Sequence, residues 1–407
     1  MIVLLFLLWA VPAAPAQSNA RIQEGVAALE RNDLAAAQTA FEKATRLAPK
    51  DAGAWLLLAQ TYARRKNLPP AVAAARKAEA FGGSDPRILQ GLANFYSTSS
   101  PDFPKAAELG ARYAERAPED KTAWRRLASF CLEAGLVDRA IAAGTRGLSV
   151  DDGAELHSIL GNAYARRGDW SNAAAQMSSA LKLNPYDEAA HFQLAQMFLK
   201  QQDFASAVDV LQNARKIFDK SAQIELALGV AFYGQRKFTE AVDQFLRTIQ
   251  LAPDVPQPYV FLGRILDHAN ERLPEVAARF AEFEARNPDS YLGYQLHAKA
   301  IVAQLPATGF PAEALAALDL VQKSLAKKED EAESHYLAVM LLDRKREFGQ
   351  AATQFERSIN LTAKDSAVHY RLARVYERLG RKEEAEQQRA LHQKLSEEEK
   401  APARPAK

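Results

Sequence analysis

A period of 34 residues runs through most of this chain of 407 residues. It is carried by four evenly spaced leucines: Leu160, Leu194, Leu228 and Leu262. Small and aromatic residues keep the same spacing: Ala173, Ala207, Ala241, Tyr164, Phe198 and Phe232. A sustained period of this length predicts stacked supersecondary units rather than one globular core. The usual product of such stacking is a long surface, not an enclosed active-site pocket.

The clearest unit is residues 154–187, AELHSILGNAYARRGDWSNAAAQMSSALKLNPYD. Gly161 and Ala173 are small enough to let two antiparallel helices approach closely. Gly168 permits a tight turn between them, and Pro185 cannot continue the second helix. This unit closely resembles a tetratricopeptide repeat (TPR). Repeat positions are counted below from Ala154 as position 1.

The same pattern recurs about eleven times, which predicts an all-α, right-handed α-solenoid of about eleven TPR helix-turn-helix units. We expect a first block of about seven units over 17–255 and a second block of about four units over 256–395. The second block is irregular near 305–311, where we expect a bend or hinge. The segment Ser97–Pro101 lengthens the turn of the third unit, and 396–407 reads as a disordered charged tail.

The first 16 residues have a different character from the repeats. Ile2 to Val11 is an unbroken apolar run, and Ala14-Pro15-Ala16 fits the small-residue rule for signal-peptidase cleavage before Gln17. We therefore predict that residues 1–16 are a signal peptide and that the protein is exported, to the periplasm or as a secreted protein. An uncleaved N-terminal anchor is the alternative, since no Lys or Arg precedes the apolar run.

Composition argues against several classes of function. The 52 Lys and Arg residues nearly balance 50 Asp and Glu residues, and no dense basic patch is interleaved with aromatic residues, so nucleic-acid binding is disfavoured. The single cysteine, Cys131, allows no intramolecular disulfide and no CxxC metal site, and it reads as a small core residue.

Catalytic signatures are also missing. The sequence has no HExxH, GxSxG, Walker A or strand-associated GxGxxG motif, so we expect no enzyme and no cofactor. Ser324-Leu325-Ala326-Lys327 matches SxxK without its partner motifs and reads as chance. Asn360-Leu361-Thr362 is a lone glycosylation sequon.

The resemblance to TPR proteins implies that the first helix of each unit lines a concave groove, into which positions 2, 5, 9, 12 and 13 point. Position 9 is polar in units two to six: Gln60, Asn94, Ser129, Asn162 and Gln196. Later units replace this run with Val230, Arg264 and Met340. Side-chain amides both donate and accept, so a row of them could hold the backbone of an extended peptide. The alternative is a merely solvated face.

Basic residues occur at neighbouring groove positions in units four to six: Arg125, Arg166 and Lys200. With Asn162 they partly match the carboxylate clamp of some TPR proteins, although Phe192 stands where the clamp would need a second basic residue. A general preference for acidic peptides and a solvated charged rim are the other interpretations.

Four histidines share position 4, where other units carry Trp55, Trp124 or Tyr259: His157, His191, His335 and His369. Their spacing of one or more repeats is too wide for one zinc ion, so we interpret them as packing residues.

Together these patterns predict a non-catalytic scaffold that binds a protein or an extended peptide in its concave groove, outside the cytoplasm. The alternatives are a structural subunit of an envelope or secretion assembly, membrane-associated through a partner, and an accessory subunit of an enzyme that acts in trans.

Overall fold

The computed structural model of the protein describes residues 16–361 and 366–400. These residues form twenty-two α-helices, two for each of the eleven predicted repeats, which confirms the all-α repeat architecture. The chain divides between Gln201 and Gln202 into two compact units. We call residues 16–201 the N-terminal unit and residues 202–400 the C-terminal unit. The predicted block boundary at residues 255 and 256 does not coincide with this division.

The N-terminal unit consists of eleven helices: α1 (Ala16–Glu30), α2 (Leu34–Leu47), α3 (Ala52–Arg64), α4 (Leu68–Gly82), α5 (Pro86–Thr98), α6 (Phe103–Arg116), α7 (Lys121–Glu133), α8 (Val137–Leu148), α9 (Ala154–Arg167), α10 (Trp170–Leu183) and α11 (Glu188–Lys200). Each helix packs on the next in the chain, and the first helices also touch each other, α3 with α5 and α7 with α9.

The C-terminal unit consists of the other eleven: α12 (Phe204–Ile217), α13 (Ala222–Gly234), α14 (Phe238–Leu251), α15 (Gln257–Arg264), α16 (Leu273–Arg286), α17 (Tyr291–Gln304), α18 (Ala312–Lys327), α19 (Ala332–Arg344), α20 (Phe348–Leu361), α21 (Ser366–Arg378) and α22 (Lys382–Lys400). Helices α13 and α14, α17 and α18, α19 and α20, and α21 and α22 pack as antiparallel pairs.

Aspartates start most helices of the N-terminal unit. Their carboxylates accept hydrogen bonds from backbone N–H groups of the first turn, which have no partner within the helix. The capping residues are Asp33, Asp51, Asp85, Asp102, Asp120, Asp169 and Asp187. Each such cap stabilises its helix by about 1 kcal/mol, and together they fix where the helices begin.

The turn inside a repeat uses a left-handed residue at position 15. Glycine supplies it at Gly135, Gly168 and Gly380, where φ lies between 73° and 81°. Other residues adopt the same conformation without the freedom of glycine: Asn32, Lys66, Gln202, Arg236 and Arg346. The turn geometry is therefore kept whether or not the sequence favours it. The turn after α5 is longer, as Ser97–Pro101 predicted, because α6 begins only at Phe103.

Small residues at positions 8 and 20 bring the paired helices together. In α9 and α10 these are Gly161 and Ala173, both buried. Large buried side chains fill the space beside them, such as Met177 in α10 and Leu160 in α9. Because positions 7, 8 and 11 of a first helix lie on one face, the residue at position 9 points away from the second helix.

The eighth repeat departs from the pattern more than the sequence predicted. Helix α15 ends at Arg264, and two 3₁₀ helices, Leu266–His268 and Asn270–Arg272, precede α16. Leu266 and Ala269 are buried, so this segment stays part of the core. Helix α15 packs against α14 and α17, and α16 packs against α17.

The predicted bend or hinge between two blocks at 305–311 is wrong. This loop connects α17 and α18, which pack closely on one another, so it is a lengthened turn inside one repeat. Arg344 of α19 also donates a hydrogen bond to the Pro306 carbonyl over 3.0 Å. The loop is thus fastened to the following repeat.

Several other predictions concern the ends of the chain and isolated motifs. Residues 1–15, with the apolar run, and residues 401–407 lie outside the described part, as does Thr362 of the sequon. Helix α22 continues to Lys400, so the segment from 396 to 400 is helical rather than disordered. Ser324 is buried and bonded to Tyr291 O and Ser334 Oγ, which gives it a structural role.

Candidate functional site

Five successive first helices of the N-terminal unit carry the polar residues predicted at position 9. Each follows a buried small residue at position 8, for example Gly161 before Asn162. Gln60, Asn94, Ser129 and Asn162 are half-buried, and Gln196 is exposed. The repeat geometry therefore places one polar side chain per repeat on the surface formed by α3, α5, α7, α9 and α11. We call these five residues the position-9 row.

Most side chains of this row form no hydrogen bond with other described residues. Asn94 accepts a hydrogen bond at Oδ1 from Arg126 Nη1 over 3.1 Å, which leaves its amide N–H groups available. Among the described residues, the side chains of Gln60, Ser129, Asn162 and Gln196 make no hydrogen bond. The row therefore presents both donors and acceptors to a ligand.

The basic residues of the predicted clamp are largely engaged within the protein. Arg125 pairs with Glu155 of α9. Arg166 donates to the Leu132 carbonyl at the end of α7 and lies 3.8 Å from Glu133. These contacts join adjacent repeats, so a carboxylate clamp built on Arg125 and Arg166 would have to break them.

Lys200 differs from the two arginines. It is exposed at the end of α11 and forms no ion pair within the described part of the chain. One free cation at one end of the row is compatible with either neutral or acidic ligands. The arrangement therefore gives no support to a specific clamp.

Arg126 belongs to this face but was absent from the sequence prediction. It lies beside Arg125 at position 6, a position that the groove rule does not include, and it reaches back 32 residues to Asn94. Its signal in the sequence was only a basic residue next to a predicted groove residue. Because the bond crosses from α7 to α5, it fixes the orientation of the Asn94 amide.

The position-4 residues connect adjacent repeats through side-chain hydrogen bonds. Three of them in the N-terminal unit donate to a proline carbonyl six residues earlier: Trp55 to Pro49, Trp124 to Pro118 and His191 to Pro185, over 2.9 to 3.0 Å. In the C-terminal unit Tyr259, Tyr294 and His335 make the same bond to Pro253, Pro288 and Glu329. These side chains have in common an N–H or O–H donor at a similar distance from the backbone.

The histidine rings use their second nitrogen as well. Nδ1 of His157, His335 and His369 meets the side-chain oxygen of a glutamine 19 residues later, over 2.6 to 2.7 Å. His157 Nε2 lies 2.7 Å from Asp152 Oδ1. These bonds give the histidines a structural role between the two helices of a repeat.

Position 4 of α13 is occupied by Glu225, which is 1% exposed. Arg247 Nε lies 2.8 Å from its Oε1, and Arg215 lies 3.8 Å from its Oε2. Arg247 also donates to the Asp219 carbonyl, six residues before Glu225, and so replaces the missing donor. Burial raises the pKa of Glu225 above its ordinary value, although both arginines act in the opposite direction.

Within residues 16–361 and 366–400, no group of three or more His, Cys, Asp and Glu side chains is placed to hold a metal ion. None of the helices in those ranges has the length and hydrophobicity required to span a bilayer.

A family model described as tetratricopeptide repeat matches five stretches of the chain: 22–86, 101–155, 160–222, 192–256 and 336–396. Together they cover more than half of the sequence. The chain belongs to the tetratricopeptide repeat family. Residues between 256 and 336, which hold the interrupted α15, lie outside the matches. TPR proteins are typically interaction scaffolds without catalytic activity, and that is the coarse function this membership indicates.

Solved structures similar to this TPR chain share little sequence with it. Naa15/Naa10 bound to HypK-THB has a TM-score of 0.47 and 15% identity, covering 94% of this chain and 64% of that one. The MamA protein has a TM-score of 0.40 and 20% identity, covering 42% and 94%. YrrB, a TPR protein with an unusual peptide-binding site, has a TM-score of 0.39 and 18% identity, covering 49% and 98%.

These TM-scores are too low to carry an argument about the function of this chain. No curated protein matches the chain by sequence. Any more specific function must therefore be inferred from the residues of the position-9 row and their surroundings.

Proposed function

We propose that this TPR protein is a non-catalytic scaffold that binds an extended segment of a partner protein along the position-9 row. The observation that carries the proposal is the run of outward-facing polar side chains on α3, α5, α7, α9 and α11. Main-chain groups of an extended segment offer a regular series of donors and acceptors. Side-chain amides at repeat spacing complement such a series with little regard to the sequence of the segment.

The preference of this surface is for neutral or mildly acidic segments. Arg125 and Arg166 already hold carboxylate or carbonyl groups of the protein, whereas Lys200 remains unpaired among the described residues. Exposed ion pairs contribute only about 0–1 kcal/mol each. A carboxylate-bearing ligand could therefore exchange with Glu155, but the gain in affinity would be small.

Backbone recognition makes a sharp prediction for the triple variant Asn94→Ala, Asn162→Ala, Gln196→Ala. We expect an affinity loss of about tenfold or more, because a net hydrogen bond contributes about 0.5–1.5 kcal/mol. The probe is a set of fluorescent decapeptides selected for binding from a random library, measured by fluorescence polarisation. Backbone N-methylation of the best peptide should weaken its binding to the unsubstituted protein by a similar factor.

A matched control uses exposed polar residues of second helices in the same unit: Thr39→Ala, Thr145→Ala and Ser171→Ala. This variant should bind peptide like the unsubstituted protein. Both triple variants should keep their melting temperature within a few degrees. Unchanged affinity in the first variant, or full tolerance of N-methylation, would remove the backbone-binding proposal.

The proposed location is outside the cytoplasm. It is supported by the apolar run Ile2 to Val11 and by Ala14-Pro15-Ala16. Protein recovered from the periplasm or medium of the expressing cell should begin at Gln17 in N-terminal sequencing. Recovery with Met1 intact in the cytoplasm would contradict export, and Met1 intact in the membrane fraction would favour an anchor.

A further inference from the structure

A depression between α7 and α8 is separate from the position-9 row. It is open to solvent and has a volume of about 260 Å³. Its walls are mainly apolar, with Trp124, Leu127 and Cys131 from α7 and Ala143 from α8, and two arginines, Arg139 and Arg146, complete it. No residue assigned above to peptide binding lines it, so its chemistry must be judged independently.

Two small residues create this space. The first helix α3 has Tyr62 at position 11, where α7 has Cys131, and the Tyr62 hydroxyl donates to Glu42 Oε1 over 2.8 Å. In α10 position 23 is Gln176, bonded to His157, whereas α8 has Ala143 there. The fourth repeat therefore lacks both the ring that the second repeat has at position 11 and the amide that the fifth repeat has at position 23.

The arginines give the depression its polarity. Both are exposed, and neither forms an ion pair with any carboxylate in the described residues. The Arg146 guanidinium lies over the Trp124 ring, 5.3 Å from its centroid. The neighbouring Asp138 is engaged by Arg167 at 3.7 Å. Two positive charges thus stand beside an apolar wall without a local counter-charge.

The wall itself is uncharged at neutral pH. Cys131 is fully buried, and burial raises the pKa of its thiol above the ordinary value, although the Arg139 charge opposes this. The thiol therefore stays protonated and adds no charge behind the wall. An apolar wall with two cations at its edge complements a molecule that carries a ring and a carboxylate on opposite ends.

We propose that the depression between α7 and α8 binds small amphipathic carboxylates. The flat apolar part would lie against Trp124 and Ala142, the accessible apolar residues of the wall, and the carboxylate would meet Arg139 and Arg146, with bidentate geometry available to each guanidinium. A closed cavity of about 150 Å³ holds benzene, so this larger and open one has room for one ring with a short arm. An open site of this size predicts a Kd on the order of 0.1–1 mM for about twelve ligand atoms.

The test uses the full chain and two fluorinated probes observed by ¹⁹F NMR. The acid 3-(4-fluorophenyl)propionate should bind at least several-fold more tightly than the matched alcohol 3-(4-fluorophenyl)propan-1-ol. The variant Arg139→Gln, Arg146→Gln should lose this preference and bind both probes equally. Lys77→Gln, which removes the cation beside Trp55 in the second repeat, should change the affinity for neither probe.

A second experiment fills the depression with larger side chains. Ala143→Gln introduces the residue that α10 has at this position, and Cys131→Tyr introduces the residue that α3 has at position 11. Each should weaken binding of the acid at least tenfold, with circular dichroism confirming that the variant is folded. Equal binding of acid and alcohol to the unsubstituted protein, or acid binding that survives Ala143→Gln in folded protein, would overturn the proposal.

Discussion

The helix pairs α9–α10 and α13–α14 follow the same 34-residue pattern but carry chemically different residues at some of the equivalent positions or against them. At position 4 the first pair has His157 bonded to an exposed aspartate, and the second has the buried Glu225. At position 8 both have glycine, Gly161 and Gly229. The glycine of the second pair meets a rigid buried ring, Phe245. The position in the repeat determines the direction of a side chain, whereas the neighbouring residues determine how much a substitution there lowers the free energy of unfolding.

The largest expected effect separates the two pairs at position 4. Arg247→Met leaves Glu225 with only the more distant Arg215, and we expect it to lower the free energy of unfolding by about 2–4 kcal/mol, because an unpaired buried charge is costly. The counterpart in the other pair, Asp152→Asn, should cost less than about 0.5 kcal/mol, since Asp152 is exposed. Hydrogen exchange of peptides from α13 and α14, and from α9 and α10, measures these local stabilities.

Glu225→Leu combined with Arg247→Met is the control for that result. Leucine occupies position 4 of α5 as Leu89 and is buried there. We expect the double variant to recover most of the lost stability, because a packed apolar residue can replace a buried ion pair at little cost. A double variant as unstable as Arg247→Met alone would show that Arg247 acts through its bond to the Asp219 carbonyl instead.

The second difference lies at the close helix approach. A Cβ at Gly229 would fall 2.4 Å from Phe245 Cε1, and Phe245 is fully buried, so Gly229→Ala should cost about 1–3 kcal/mol. A Cβ at Gly161 would fall 3.2 Å from the flexible end of Met177 and 3.3 Å from the Ala173 carbonyl oxygen, so it would be tight but would not overlap a rigid ring. There the strain roughly cancels the about 1 kcal/mol that alanine gains over glycine in a helix.

Urea denaturation followed by circular dichroism compares these two alanine variants. Adding Phe245→Met to Gly229→Ala reproduces the alanine–methionine contact of the Gly161→Ala variant and should restore part of the loss. Equal destabilisation by Gly229→Ala and Gly161→Ala would contradict the role assigned to the rigid ring.

The third difference concerns the left-handed turn residue. Gly168 has φ of 81°, and Arg236 at the equivalent position has φ of 59°. Gly168→Ala should lower the free energy of unfolding by about 1 kcal/mol, because a Cβ is disfavoured in this conformation. Arg236→Gly should raise it by about 0.5 kcal/mol, since relief of strain exceeds the added freedom of the unfolded chain. Thermal denaturation scans resolve both signs, and a loss of stability in Arg236→Gly would disprove the strain.

The smallest effect is the pH dependence of the Glu225 site. The pKa of this carboxyl is raised in the folded protein above the unfolded value of 4.5, so the folded state holds its proton to higher pH. Its protonation contributes stability that is fully present below pH 4.5 and is lost as pH rises through the folded pKa. Relative to Glu225→Gln, the unsubstituted protein should thus gain stability as pH falls towards 4.5, as measured by urea titrations at several pH values.

The number of repeats followed from the 34-residue period, and the outward direction of position 9 followed from the resemblance to TPR proteins. The pairing of Arg125 with Glu155 did not, since a long flexible side chain selects its partner in three dimensions. The interrupted α15 was also missed. Tyr259, Leu262 and Gly263 keep the repeat pattern up to Arg264, and the change occurs in the residues that follow, where the pattern has no fixed identities.

The position-9 row was predictable as a set of residues, but its availability was not. Only the structure identifies the Arg126 bond to Asn94 and the engagement of Arg166 by the Leu132 carbonyl. The depression beside Cys131 could not be predicted either, although the sequence shows the small residues at this place. A small residue at an aromatic position becomes a cavity only when the surrounding residues do not move in to fill it.

The bonds from position 4 to a carbonyl six residues earlier have a consequence for how the chain acquires its structure. Trp55, for example, joins the end of one repeat to the start of the next across a very short stretch of chain. Closing so short a loop costs little chain entropy, and neighbouring repeats can therefore dock as soon as both have formed. Folding can begin at many points along the array, and the same local closure would let a repeat be duplicated or exchanged without redesigning distant parts of the molecule.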